Sequence, residues 1–354
     1  MLYETQNPHG GDVYGAEIRL DFSSNVNPLG PPPSVLSAMQ RACAQVRQYP
    51  DPYCRALTRA IAAREDVPEQ SVLCGAGAAE LIYAYCDALR PGKIAELAPT
   101  FSEYSAAAAH FGAKTVRFSL HAPDFSPDEA LLSFLELEKP DALFLCTPNN
   151  PTGKAFPRAL LEAVLRQCKK QRTHVLLDEC FLDFTDEKSA RDLLPQFENL
   201  LILKAFTKNF ALAGARVGYC LTENRTLLRK MSRSCQPWNV SLPAQAAGVA
   251  ALQEWSWVLR AREIVRDERT FLSQVLPRLD VLVCPSEANY LLLRAPVGLD
   301  TALLRRGIAI RNCENYPGLG PGWYRIAVRL HEENEALLET MQRVTEEMPW
   351  HETS

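Results

Sequence analysis

The chain has 354 residues, 47% apolar and 23% charged, a balance that excludes disordered and collagen-like chains and suits a folded globular protein. With 38 basic and 42 acidic side chains the net charge is −4, so there is no bulk attraction to nucleic acid. No apolar run approaches the ~20 residues of a membrane span, and the first residues lack the basic and apolar regions of a secretory leader.

The first fifty residues read as an irregular arm. It carries His9-Gly10-Gly11 and then Asn27-Pro28-Leu29-Gly30-Pro31-Pro32-Pro33, where three consecutive prolines continue neither a helix nor a central strand. A short helix is expected over about 34–46, capped by Ser34. From about residue 54 helices and strands alternate. The pattern predicts a helix over 54–64, a strand over 71–74, the turn Gly75-Ala76-Gly77 and a helix over 78–89. A strand over 93–97, a helix over 102–110 and the uniformly apolar strand Ala142-Leu143-Phe144-Leu145-Cys146 follow. Then come a helix over 157–171 and strands over 174–177, 200–203 and 217–221. Such alternation implies an α/β fold with a mostly parallel sheet covered on both faces by helices. A long amphipathic helix over about 256–276 leads to a smaller α+β unit, with strands over 290–294 and 323–328 and a final helix over 332–347. The expected organisation is an arm with part of the small domain over 1–50, a large domain over 51–255 and a small C-terminal domain with its bridging helix over 256–354. The eleven cysteines form no CxxC pair and no zinc-spaced cluster with His, which argues for reduced thiols in a cytoplasmic protein and for no metal site.

Three reactive groups fall at the carboxyl ends of expected strands, where ligands bind in open α/β sheets. They are Asn150 in Asn149-Asn150-Pro151-Thr152-Gly153, Asp178 after His174–Leu177, and Lys208 in Thr207-Lys208. A desolvated lysine can form an imine with an aldehyde cofactor. A carboxylate can keep a pyridine nitrogen protonated, and an asparagine amide can donate to a phenolic oxygen. Arg216 can hold a phosphate bidentately, and the helix after Gly75-Ala76-Gly77 offers free N–H groups to the same phosphate. This set suits pyridoxal 5'-phosphate.

The segments Asn150-Pro151-Thr152-Gly153, Asp178-Glu179, Thr207-Lys208 and Ala213-Gly214-Ala215-Arg216-Val217-Gly218-Tyr219 together resemble fold-type I pyridoxal phosphate enzymes of the class I/II aminotransferase superfamily, nearest the histidinol-phosphate aminotransferase branch. Within that branch the arm, Leu20 to Gly30, Phe144 to Gly153, Asn289 to Arg294 and Asn315-Tyr316-Pro317-Gly318-Leu319 are most similar to the threonine-phosphate decarboxylase group, whose activity serves cobalamin synthesis. The resemblance implies Lys208 as the Schiff-base lysine, Asp178 as the pyridinium partner, Asn150 as donor to the phenolic oxygen and Phe101 as the stacking ring. It implies Gly77, Ala78, Thr207 and Arg216 around the cofactor phosphate, and a homodimer in which Tyr49 reaches across to that phosphate. Aminotransferases of this branch carry Tyr three residues after the aspartate; here Phe181 stands there and cannot donate.

A decarboxylase must hold its substrate's carboxylate out of the cofactor plane, so the reaction turns on which cations grip which group. Arg325 resembles the arginine that meets a substrate carboxylate, and strand alternation would put Arg329 on its face. Arg325 and Arg329 are expected to share a doubly anionic substrate, with His9, Gly10, Asn27 and Arg311 toward a substrate phosphate. The implied substrate is a phosphorylated amino acid: L-threonine O-3-phosphate, or in the alternatives L-serine O-phosphate or a histidinol-phosphate-type transamination pair.

Overall fold

The structure, a computed structural model, describes residues 9–347. The outermost residues of the expected first and last units, 1–8 and 348–354, therefore lie outside the described residues. The chain runs through β1 (Leu20–Asp21), α1 (Pro33–Cys43), α2 (Arg55–Glu65), β2 (Val72–Gly75), α3 (Ala78–Leu89), β3 (Lys93–Ala98), α4 (Glu103–His110), β4 (Lys114–Ser119) and α5 (Ala130–Glu138). It continues with β5 (Ala142–Cys146), α6 (Arg158–Gln171), β6 (His174–Asp178), β7 (Leu200–Ala205), the one-turn α7 (Phe206–Asn209), β8 (Gly218–Leu221), α8 (Arg225–Ser234) and α9 (Leu242–Ala251). Last come α10 (Trp255–Val275), β9 (Leu282–Val283), β10 (Tyr290–Arg294), α11 (Leu299–Leu304), β11 (Ile308–Ala309), β12 (Arg311–Asn312), β13 (Trp323–Ala327) and α12 (His331–Glu347).

Seven strands form the main sheet in the order β2-β8-β7-β6-β5-β3-β4. The run from β7 to β4 is parallel, and β8 lies antiparallel to both β7 and β2. The apolar strands bury both faces, as period-two geometry requires of a doubly covered sheet. Leu143, Leu145, Val175, Leu177, Leu200 and Ile202 enter the core on one side. Phe144, Cys146, Leu176, Leu201 and Leu203 enter the core on the other. Among the elements the sequence pattern did not predict, which include α5 and α8, β4 and α9 escape it for physical reasons. β4 is an edge strand whose residues are exposed or half-buried throughout, so it has no apolar run. α9, Leu-Pro-Ala-Gln-Ala-Ala-Gly-Val-Ala-Ala, is built of small residues that pack closely on α1, so it has no polar stripe.

A second, antiparallel sheet, β12-β13-β10-β9, gathers its own core with α10, α11 and α12. Phe22 belongs to that core, and β1 pairs parallel with β11, so the N-terminal arm is stitched to this unit. All eleven cysteines are free, nine of them buried. No helix among the described residues is long and apolar enough to cross a membrane.

A buried charge cluster ties α2 to the strands under the cleft. Lys204 Nζ on β7 lies 3.0 Å from Glu65 Oε1 and 3.9 Å from Glu179 Oε2. Tyr219 on β8 donates to Glu65 at 2.6 Å, and Ser189 donates to Glu179 at 2.6 Å. Burial alone would lower the Lys204 ammonium, but Asp183, Glu65 and Glu179 carry it above its usual value. Removing one partner from a buried pair strands the other charges. Lys204→Met is expected to cost about 3–5 kcal/mol of stability, read from the midpoint and slope of urea unfolding.

Candidate active site

The parallel strands β5, β6 and β7 end side by side, and the three reactive groups sit just beyond or at those ends. Asp178 closes β6, Asn150 lies four residues past β5, and Lys208 lies in α7 directly after β7. They line one cleft, a cavity of about 230 Å³, together with His9, Phe101, Thr207, Arg216, Arg311 and Arg325.

Asp178 is buried, with its Oδ1 accepting from the Cys180 N–H at 2.9 Å and its Oδ2 from the Tyr104 hydroxyl at 2.7 Å. Burial pushes its carboxyl above the ordinary value, against the lowering effect of those Cys180 and Tyr104 bonds. Lys208 opens partly to the cleft, yet the surrounding protein and then the Arg325 charge lower its ammonium to about 8. Its Nζ lies 5.5 Å from the centre of the Phe181 ring, and Phe181 meets Tyr290 edge-on at 5.0 Å. Phe181 therefore offers the cleft an apolar face where a phenol could have donated.

Asn150 and Arg325 are both buried and joined: Arg325 Nη1 donates to Asn150 Oδ1, while Nη2 donates to the Ser23 carbonyl at 2.8 Å. The amide oxygen is thus occupied, which leaves the NH2 as the group Asn150 can offer. At the other end of the cleft Gly77 caps α3 at φ +86°, and a Cβ there would meet Arg216 Nη2 at 2.6 Å. Arg216 donates to the carbonyls of Ala213 at 3.2 Å and Ala76 at 3.5 Å, and among the described residues it has no carboxylate partner. Ala78 and Ala79 at the start of α3 complete this wall. A guanidinium without a carboxylate, facing the N-terminus of a twelve-residue helix, is a phosphate cradle. With Asp178, Asn150, Lys208 and the half-buried Phe101 ring, the donor set fits pyridoxal phosphate.

The expected substrate residues divide. His9, Gly10, Arg311 and Arg325 line the cleft. His9 Nε2 pairs with Glu103 Oε1 at 2.7 Å, and its ring lies 5.6 Å from that of Phe101. Gly10 is forced: a Cβ there would fall 2.3 Å from the Ser23 carbonyl oxygen. Arg311 donates to Asn315 Oδ1 at 2.8 Å and lies over the Tyr316 ring.

Asn27 and Arg329 are corrections. Asn27 Nδ2 donates to the Asn209 carbonyl at 2.8 Å, its N–H donates to the Lys208 carbonyl at 2.8 Å, and its Oδ1 accepts from the Leu29 N–H at 2.9 Å. It fastens the Lys208 turn, and its Asx turn is the ordinary role of an asparagine before proline. Arg329 lies past the end of β13, so strand alternation no longer applies; its guanidinium pairs with Glu333 at 2.7 Å, away from the cleft lining. Tyr49 is 78% exposed and stacks on Trp238 at 4.6 Å, outside this chain's own cleft.

Two cleft-side residues were not anticipated. Asn25 is buried in the cleft wall with both amide atoms lacking a partner in the protein. It stands two residues before Asn27, and only the proline after Asn27 separates their roles in sequence. Tyr104 lies in the first turn of α4, and its N–H donates to the carbonyl of Phe101 at 3.5 Å, just before the helix.

The comparisons with known proteins agree with this geometry. A family model of the class I and II aminotransferases matches residues 17–341. The chain is 36% identical over 352 residues to a threonine-phosphate decarboxylase of Salmonella typhimurium, covering 95% of this chain and 96% of that protein. It is 35% identical over 340 residues to a histidinol-phosphate aminotransferase of Anaeromyxobacter, covering 94% and 92%. Among solved structures it resembles the histidinol-phosphate aminotransferase of Clostridium acetobutylicum with a TM-score of 0.86 at 27% identity, over 93% of this chain and 100% of that one. The chain belongs to the class I and II aminotransferase family.

The Lys208 environment gives a test that needs no cofactor. Only the neutral amine attacks an acylating reagent, and the neutral fraction grows as pH rises through the amine's own value. Acylation of Lys208 in cofactor-free protein, followed by peptide mass spectrometry, is expected to rise to a plateau with a midpoint near about 8. In Arg325→Gln the midpoint should move upward, because a neighbouring positive charge is gone.

Proposed function

We propose that this family member is a pyridoxal-phosphate-dependent carboxy-lyase that converts L-threonine O-3-phosphate to (R)-1-amino-2-propanol O-phosphate and CO2, in cobalamin side-chain synthesis. The observation that carries the reading is the pairing of Arg311 with Arg325. They are Cα partners on the adjacent antiparallel strands β12 and β13, so their side chains leave one face as close neighbours, roughly 5 Å apart at Cβ. Two adjacent cations suit a compact substrate with a carboxylate on Cα and a phosphate ester on Cβ. Histidinol phosphate has the phosphate and no carboxylate.

In this reading Arg216, Thr207 and the N-terminus of α3 would hold the cofactor phosphate, Phe101 would stack on the ring, Asp178 would accept from the pyridine N–H, and the Asn150 NH2 would donate to the phenolic oxygen. When bound, the cofactor supplies an electron sink conjugated with the substrate Cα. Arg325 would take the substrate carboxylate and fix its orientation at Cα, the bond to CO2 being the one to break. Arg311, His9, the Gly10 turn and the unpartnered Asn25 amide receive the substrate phosphate. Lys208 would hold the cofactor in the resting protein and, once free and protonated, its ammonium would return a proton to Cα where CO2 has left. Phe181 leaves the phenolic oxygen to Asn150 alone.

The likeness to histidinol-phosphate aminotransferases supports a second reading, transamination. L-Serine O-phosphate is a variant of the first, since one methyl is worth only ~1–3 kcal/mol of discrimination. The free, mostly buried thiols support a reducing, cytoplasmic setting. The exposed Tyr49–Trp238 stack supports a homodimer in which Tyr49 of each copy completes the other's phosphate site.

Purified protein with pyridoxal phosphate is expected to release CO2 and aminopropanol phosphate from L-threonine O-3-phosphate continuously without any keto acid. No CO2, together with amino transfer from histidinol phosphate to 2-oxoglutarate, would establish the aminotransferase instead. Asn25→Ala should raise KM for the phosphorylated substrate about tenfold or more while leaving cofactor affinity unchanged, because it leaves a phosphate oxygen without its donor.

A further inference from the structure

The Tyr104 hydroxyl is a buried polar group inside an aromatic stack. Its ring lies parallel to Phe144 at 5.3 Å and edge-on to Phe101 at 5.5 Å, and the side chain is fully buried. That packing would serve a phenylalanine equally well, so the hydroxyl needs its own account. It points at Asp178 Oδ2, 2.7 Å away, while Oδ1 takes the Cys180 N–H. The Cys180 thiol bonds the carboxylate as well, so the fold holds it by three donors.

We propose that Tyr104 is a positioning residue for the cofactor's ring nitrogen: its phenol fixes the Asp178 carboxylate in one orientation, as an ionised acceptor for the pyridine N–H. The inference rests on the reading of Asp178 as the nitrogen's partner. A carboxylate this deeply buried is pushed toward its neutral form by desolvation, and a neutral carboxyl cannot stabilise a protonated pyridine. Three donors oppose that push: the Cys180 thiol, the Tyr104 phenol and the Cys180 backbone N–H. Removing the phenol takes away the donor to Oδ2 and leaves only the two donors of Cys180 to hold the carboxyl. Tyr104 touches both devices that would grip the ring, the edge of Phe101 and the carboxylate of Asp178, so one residue keeps the stacking plane and the nitrogen's acceptor in register.

The test uses protein stripped of cofactor and titrated by tryptophan fluorescence with two ligands: pyridoxal phosphate, and its analogue with C–H in place of the ring nitrogen. Wild type, Tyr104→Phe and Asp178→Asn are compared. Tyr104→Phe is expected to bind pyridoxal phosphate about tenfold more weakly and the analogue as wild type does, since the analogue has no nitrogen to serve. The absorbance–pH titration of bound pyridoxal phosphate should shift in Tyr104→Phe as well. Equal weakening of both ligands would make Tyr104 a packing residue and overturn the proposal, as would unchanged binding of both. If Asp178→Asn binds pyridoxal phosphate like wild type, the reading of Asp178 falls. If Asp178→Asn weakens it and Tyr104→Phe does not, only the role of Tyr104 falls.

Discussion

A carboxylate forced into the protein interior is the constraint around which this cleft is assembled. Asp178 ends a strand that is buried on both faces, so it cannot reach water without leaving the sheet. It is stabilised as an anion by what the fold supplies: the thiol and backbone N–H of Cys180, the Tyr104 phenol on α4, and a nearby ammonium at Lys208. Lys208 is desolvated by the same enclosure, which lowers its proton affinity while Asp178's is raised. The two groups are thereby brought toward each other on the pH scale, the condition under which one cleft can hold a charged acceptor and a reactive amine.

The second constraint is that the cleft is closed by a different unit from the one that bears the reactive groups. Arg325 comes from the antiparallel sheet and reaches both Asn150, beyond β5, and the carbonyl of Ser23 in the arm. Asn27 ties the arm to the Lys208 turn by its backbone and side chain. His9 on the arm meets Glu103 on α4. The arm is therefore a third wall, held by β1, by Phe22 in the small core and by the close approach of Gly10 to Ser23. Its glycines are needed because the backbone passes where a Cβ has no room.

The main sheet and its reactive groups were legible in the sequence because they obey local rules. Apolar strands of five or six residues, each followed by a polar residue at its carboxyl end, announced Asn150, Asp178 and Lys208, and the structure brings all three into one cleft. What was not legible depends on neighbours distant in the chain. Arg329 was expected on the face of Arg325, but β13 stops at Ala327 because the chain there turns into α12. Asn25 and Asn27 look alike in sequence, and only the surroundings show one amide bonded to the Lys208 turn and the other left open to the cleft. Tyr104 carries no mark in the sequence, because the partner of its hydroxyl, Asp178, lies far along the chain.

Reaction choice in such a cleft is set by geometry at the substrate rather than by the groups around the cofactor. The lysine, aspartate and asparagine would serve either transamination or decarboxylation. On the substrate side stands the Arg311–Arg325 pair, which places two cations on neighbouring strands. A cation pair of that spacing holds a small dianion by both ends and leaves it little freedom to rotate about Cα. Restricting that rotation decides which bond at Cα aligns with the ring's π system, and so which bond breaks. The antiparallel register of two short strands, β12 and β13, is therefore what sets the two cations that would make that choice.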